Sequence, residues 1–431
     1  MLDIKLFRDD PELIKENIRK KFQEHKLRYV DEVIEKDNRL RELMQESQDL
    51  RHKRNELSIK VSEAKKKGID TSKYVSEAKD IPKNIEKTEE EMAKLRERIN
   101  ELLLVIPNII HKSVPVGKND KENVEVEKIG KPKAFDFKIK SHVEIAEKLG
   151  MADFDTSAET SGKGFYYLSG ELALLNMALI NFARDYMVKQ GYVYTEPPLM
   201  IRKRVLEGVY SSEEIDQMSY KIEDEDLFLI ATSEHPLIGM FINKTLKKSE
   251  LPIKLTGYSA CFRKEIGSHG IDQKGLYRTH QFNKQEMIVI CEPEDSYMFY
   301  DEMMNHSKEI FRQLGIPIRE LECCSGDLAD LKAKSADLEA WSPRKNDYFE
   351  ITSCTNMEEA QARRLNIRID DGHGKRYFAH TLNNTVIATS RALVAILENF
   401  QNKDGSVDVP EALWPYMLGK KRISINTAMP G

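Results

Sequence analysis

The chain has 431 residues, 40% hydrophobic and 32% charged. That is apolar enough for a sizeable core, yet the charge exceeds the ~25% of an average globular chain, as long exposed helices would require. Sixty-seven basic against 72 acidic residues give a net charge of −5, which excludes a globally basic nucleic-acid binder but not a local basic patch.

The N-terminus, MLDIKLFRDD, does not read as a signal peptide, and no apolar run reaches the ~18 residues of a membrane span. Residues 10–106 are rich in Lys, Glu, Arg and Leu. Tyr74, Ala78, Ile81, Ile85, Thr88, Met92, Leu95, Ile99, Leu102 and Ile106 step by 4-3-4-3, the seam of a coiled coil. Upstream, Leu43, Leu50, Leu57 and Ala64 step by seven. Between the runs, Gly68 suits a helix C-terminus, and Asp70 or Thr71 the next N-cap. Two antiparallel helices of about 37–41 residues follow, each ~55–60 Å long. Pro82 is expected to kink the second helix or to end an earlier turn.

A hairpin so thin buries one seam and projects from the body. One reading is a structural or dimerising coiled coil. The other uses charge: residues 51–67 carry Arg51, Lys53, Arg54, Lys60, Lys65, Lys66 and Lys67 against Glu56 and Glu63, a net of +5. A basic distal end on an extended arm suits a phosphate backbone. The reading is therefore a helical N-terminal domain over 1–112, a polar linker over 113–135, and a second domain over 136–431.

In the second domain, 171–189 and 389–401 read as amphipathic helices, and VYTEPPLM as a strand. Segments 252–264, 276–291, 319–325, 335–341, 347–354 and 375–383 read as strands. Helices do not alternate regularly with strands, so the class is α+β: an antiparallel sheet with helices packed on it. Neither G-x-x-x-x-G-K-[ST] nor G-x-G-x-x-G occurs, so phosphate chemistry must come from side chains. Alternation along 276–291 places Arg278, Phe282 and Glu286 on one face. A cation for phosphate, a ring to stack a base and an acid for an amine suit a site; a surface strand of mixed polarity is the plain alternative. Cys261, Cys291, Cys323, Cys324 and Cys354 form an odd set without C-x-x-C, read as buried thiols in a reducing, cytoplasmic compartment. His269 and His280 are read as loop and sheet residues rather than acid–base catalysts.

Over nearly its whole length the sequence resembles the seryl-tRNA synthetases, which are class II aminoacyl-tRNA synthetases. GKGFYYLSGELALLNMALINFARDYMVKQGYVYTEPPLM resembles their motif 1, CFRKEIGSHGIDQKGLYRTHQFNKQEM motif 2, and HTLNNTVIATSRALVAILENFQNKDGSVDVPEALWPYM motif 3. ATSEHP, CSGDLADLKAKSADLEAW and YFEITSCTNMEEAQARR resemble the serine-site and metal-site segments, with wording closer to the archaeal branch.

The resemblance implies a six- or seven-stranded antiparallel sheet behind a long coiled-coil arm. It also implies a two-step ligation of serine to tRNA(Ser), and possibly tRNA(Sec), with ATP as substrate, Mg2+ as cofactor, and a homodimer built on motif 1. It assigns the α-phosphate to Arg263, the adenine amino group to Glu265 and the adenine ring to Phe282. The outer phosphates fall to Arg278 and Arg391, and magnesium to Glu350 and Ser353, with Ile351 and Thr352 between them in the ATP-binding run. Arg263, Glu350 and Arg391 are the catalytic set. Serine falls to Thr232, Glu234, Arg263, Glu286, Asn383 and Thr385, and the basic residues of 51–67 to tRNA. Three positions depart from the family pattern: Thr385 for a common Ser, and Asn384 and Ser390 each for a Gly. A class II ligase that loads a carrier protein would not need the arm, and a non-catalytic descendant would not need intact Arg263, Glu286, Glu350 and Arg391.

Overall fold

The computed structural model describes residues 1–210, 212–265 and 275–425, with the side chains of residues 212 and 213 set aside. The chain divides into two compact units, Met1–Ile109 and Ile110–Gly431.

The first unit is helical. Helix α1, Leu27–Lys66, is 40 residues long, about 60 Å at 1.5 Å per residue. It ends at Gly68, whose φ of 67° a side chain would disfavour. The return limb is two helices, α2 (Ser72–Ala78) and α3 (Ile81–Val105). Pro82 lies in the first turn of α3, where its missing N–H costs nothing; of the two expected outcomes, the proline ends an earlier turn. The seam is packed: Leu57, Ile81 and Ile85 are buried against Leu50, Tyr74 and Ala78. At the base, Phe7, Ile14, Ile18, Val30, Val33, Ile99, Leu102 and Ile106 form a separate core. Arg39–Glu91 (3.0 Å), Arg98–Glu32 (2.9 Å) and Arg51–Glu89 bridge the limbs. Exposed pairs of this kind add little stability but help set register.

The second unit is built on one eight-stranded sheet. In chain order its strands are β1 (Val124–Ile129), β2 (Val193–Tyr194), β3 (Ile253–Phe262), β4 (Gln281–Cys291), β5 (Ile318–Glu322), β6 (Lys334–Ser342), β7 (Asp347–Asn356) and β8 (His380–Ala388). Their spatial order is β1-β5-β6-β7-β8-β4-β3-β2, antiparallel throughout except at the β2–β3 edge. Helices α4 (Gly170–Lys189), α5 (Ser296–Gln313) and α6 (Thr389–Asn399) contribute to the main core, with Met287, Val289 and Cys291 of β4 among its residues. Ile288 and Ile290, on the other face of β4, pack with Leu237, Ile238 and Leu365.

Four expectations need correction. The stretch 113–135 is not simply a linker, because Val124–Ile129 pairs with β5 as an edge strand; its charged, alternating residues suit an edge. With that edge and the two-residue β2, the sheet has eight strands rather than six or seven. Strand β4 begins at Gln281, not at 276. The segment expected over 375–383 is broken at Ala379, and its main part runs on to Ala388.

Candidate active site

Along β4 the side chains of Phe282, Lys284 and Glu286 fall on one face by strand alternation. Glu286 stands opposite Gly257 of β3 and Thr385 of β8. A Cβ at Gly257 would come 2.8 Å from the Thr195 carbonyl, so this position needs glycine. Val386 is skipped in the β8–β4 register, a bulge that breaks the ladder just after Thr385.

Glu286 is buried. Its Oε1 accepts from Thr232 Oγ1 at 2.9 Å and Thr385 Oγ1 at 3.4 Å, and the Lys284 ammonium pairs with the same oxygen. Its Oε2 is buried with no hydrogen-bond partner among the described residues. A buried carboxylate oxygen left without a donor is costly unless a ligand supplies one. Beside it, Glu234 Oε1 accepts from Gln361 Nε2 at 3.1 Å and Asn383 Nδ2 at 3.2 Å. Burial first, and the charge of Glu286 second, push the Glu234 carboxyl up to about 7. Thr232, Glu234, Glu286, Asn383 and Thr385 thus form one hydrogen-bonded cluster.

Arg263, just beyond β3, donates from Nε to the Ala231 carbonyl at 3.3 Å and lies 5.1 Å over the Phe282 ring. Glu265 pairs with Arg278 at 3.4 Å. Because β4 starts later than expected, Arg278 lies before the strand and does not share its face with Phe282 and Glu286; it is exposed. His280 has a structural role: its Nδ1 lies 2.9 Å from the Arg263 carbonyl and 3.1 Å from Tyr220 Oη. His269 lies outside the described residues.

A second cluster lies on β7. Ordinary alternation would put Glu350 and Ser353 on opposite faces. The register skips Ile351, since Leu338 pairs with Thr352 but Glu339 with Glu350. This bulge turns Glu350 and Ser353 to the same side, while Ile351 joins the main core and Thr352 is buried. The Ile351 side chain therefore cannot face a nucleotide. Arg391, in the first turn of α6, donates from Nη1 to the Glu350 carboxylate at 2.8 Å and to its carbonyl at 3.1 Å. Burial works against the charged form of Glu350, but Arg391 overrides it and holds the carboxyl below its ordinary range. Asp337, opposite Ser353 and hydrogen-bonded to it, is pushed up by burial and by the charge of Glu350.

Sequence reasoning missed Lys284, Asp337, Gln361 and Tyr277. Asp337 had a legible signal, since it is a charged residue inside a strand between Ala336 and Leu338; Lys284, between Asn283 and Gln285, had none. Tyr277, whose ring the Arg391 guanidinium approaches at 5.5 Å, and Gln361 had none. The five cysteines are free and buried, as expected. Asn384 faces away from the pocket and donates to Met303 O and Ser307 Oγ, both at 2.9 Å, which ties β8 to α5.

Residues 1–110 match the seryl-tRNA synthetase N-terminal domain, and residues 219–400 the tRNA synthetase class II core domain (G, H, P, S and T). The chain is 46% identical to a serine--tRNA ligase from Methanocella arvoryzae over 97% of this chain and 99% of that one. It is 44% identical to one from Thermococcus sibiricus over 99% and 98%. The crystal structure of a seryl-tRNA synthetase from Pyrococcus horikoshii complexed with ATP superposes with a TM-score of 0.95, at 41% identity over 99% of this chain and all of that one. Two family domains in order, the second on a sheet that gathers these side chains, and relatives matched over nearly their whole length leave one assignment: the chain belongs to the seryl-tRNA synthetase family of class II ligases.

Proposed function

We propose that the second unit activates L-serine with ATP and transfers the seryl group to the 3′ end of tRNA(Ser), as a serine--tRNA ligase. The observation that carries the amino-acid half is Glu286: a buried carboxylate with one oxygen unpartnered, beside two threonine hydroxyls and an asparagine amide. A serine ammonium, bound by Glu286 and Thr232, supplies the missing donors, and Asn383 and Thr385 contact its short hydroxymethyl group. Phe282 offers a ring for adenine, worth roughly 1–3 kcal/mol by analogy with other base–aromatic stacks, with Glu265 taking the amino group.

Arg263 neutralises the α-phosphate while a serine carboxylate oxygen attacks phosphorus in line. The new bond is O–P, the broken one is the P–O bond to the β-phosphate, and pyrophosphate departs. Arg278 and Arg391 hold the outer phosphates. The terminal ribose hydroxyl of tRNA then attacks the seryl carbonyl and AMP leaves. Catalysis here is positioning plus charge neutralisation. Glu350 and Ser353, turned together by the β7 bulge, are hard oxygen donors of the kind magnesium takes, and they would hold an ion that neutralises phosphate oxygens.

The same reading makes residues 1–112 the tRNA-binding domain, with Lys53, Arg54, Lys60 and Lys65–Lys67 exposed on the arm for phosphates. Arg51, paired with Glu89, must exchange partners to join them. Leu174, Met177 and Val188 of α4 are 40%, 46% and 49% exposed, an apolar row that suits a homodimer. Among the described residues no helix is long and apolar enough to cross a membrane, and a cytoplasmic location fits the five free thiols. Charging of tRNA(Sec) is a further expectation of the same chemistry. The test is ATP–pyrophosphate exchange across the amino acids. Serine should dominate, with alanine poorer by a factor on the order of 10⁴, because it leaves the polar pocket unpaired. Alanine exchanging as fast as serine would sink the assignment.

A further inference from the structure

Lys284 has no place in the assignments above, yet its side chain is only 10% exposed and its ammonium lies on Glu286, the carboxylate read as the acceptor for the substrate amine. A fixed cation beside the intended site of another cation needs an account. We propose that Lys284 is a built-in counter-cation that makes this pocket selective for zwitterions. The inference rests on the reading of Glu286 as the amine acceptor.

The two oxygens of Glu286 are used unequally. Oε1 takes Lys284, Thr232 and Thr385, while Oε2 is buried and unpartnered among the described residues. An incoming ammonium therefore meets Oε2 while Lys284 keeps Oε1. Before the ligand arrives, Lys284 neutralises a carboxylate that would otherwise be buried uncompensated beside Glu234. Once an ammonium is bound, that corner holds two cations on one carboxylate, with the Arg263 guanidinium over the neighbouring Phe282 ring. While the neighbouring Glu234 keeps its proton, the surplus positive charge is balanced only if the ligand brings its own carboxylate. An amine without an acid is repelled by Lys284 and Arg263, and an acid without an amine leaves Oε2 orphaned. A buried ion pair with only a structural role would weaken all ligands together when removed.

The experiment compares two ligands in one assay, so that losses of folding cancel. Serine-dependent ATP–pyrophosphate exchange gives the serine KM, and inhibition by ethanolamine, the serine analogue lacking the carboxylate, gives a Ki. In Lys284→Met the ratio of ethanolamine Ki to serine KM should fall by about tenfold or more, because a unit charge a few ångströms away is gone; Lys284→Arg should keep the wild-type ratio. An unchanged or higher ratio in the Met variant overturns the proposal. Should that variant not fold, the wild-type enzyme decides: ethanolamine and acetate together should inhibit synergistically, each lowering the apparent Ki of the other, and independent inhibition overturns the proposal. Wild-type enzyme that exchanges with serine but shows neither effect refutes only the role of Lys284. Failure to exchange with serine at all removes the underlying assignment as well.

Discussion

The pocket carboxylate Glu234 gives a stability prediction with a definite sign. Its carboxyl rises from 4.5 to about 7, chiefly through burial and then through the charge of Glu286. The folded state therefore holds this proton more tightly than the unfolded state does. The stabilisation is complete below pH 4.5 and is lost as pH rises through 7. At 1.36 kcal/mol per pH unit, the window from 4.5 to 7 is worth about 3 kcal/mol. Glu234→Gln keeps the oxygen that accepts from Gln361 and Asn383 and removes the ionisation. The variant should match the wild type near pH 4.5 and exceed it by about 3 kcal/mol above pH 7. In a unit of this size that separates the melting temperatures by roughly 5 °C. The assay is a pair of melts at equal protein concentration from pH 5 to 8.5, without ligand. Curves that stay parallel across the range, or a wild type that gains on the variant as pH rises, would refute the argument.

Much of this architecture was legible because it depends on period. A 4-3 repeat has no stable use except a seam, so the arm, its turn at Gly68 and the residues it buries follow from the sequence. The two limbs differ because Pro82 can enter only a first turn, which splits the return limb at Lys79–Asp80. In the second unit, alternation located Phe282 and Glu286 on a common face. It failed at Arg278, since nothing in the residues from 276 to 280 shows that pairing starts only at Gln281.

The larger gap is at the bulges. Glu350 and Ser353 are three apart, a spacing that in a regular strand places them on opposite faces. The resemblance named both residues, but only the skipped pairing of Ile351 explains how they come to share a face. Bulges come from how two strands settle against each other and leave little trace in either strand alone. Buried charge was under-read for a related reason. Lys284 inside a strand looks like surface alternation until β3 and β8 close on both sides.

Glu350 and the arm give the remaining predictions. Glu350→Ala should lower serine-dependent exchange by about 10²-fold or more while the protein still folds, since the carboxylate proposed to hold the phosphate-neutralising magnesium is removed; a variant that loses thermal stability but keeps its exchange rate per folded molecule would reduce Glu350 to an ion-pair partner of Arg391. The arm prediction separates the two units. Lys65, Lys66 and Lys67 lie at the C-terminal end of α1, are exposed, and contribute nothing to the seam, so replacing all three by Ala should leave the coiled coil formed. They are three of the seven basic residues in 51–67. If they meet phosphate, tRNA affinity should fall and the log–log salt slope should shrink by about 0.7–0.9 for each phosphate no longer neutralised. Serine-dependent exchange needs only the second unit and should not change. An arm with a purely structural role predicts unchanged tRNA affinity and an unchanged slope, so tRNA binding across a salt series, run beside the exchange assay on the same preparation, decides between the two.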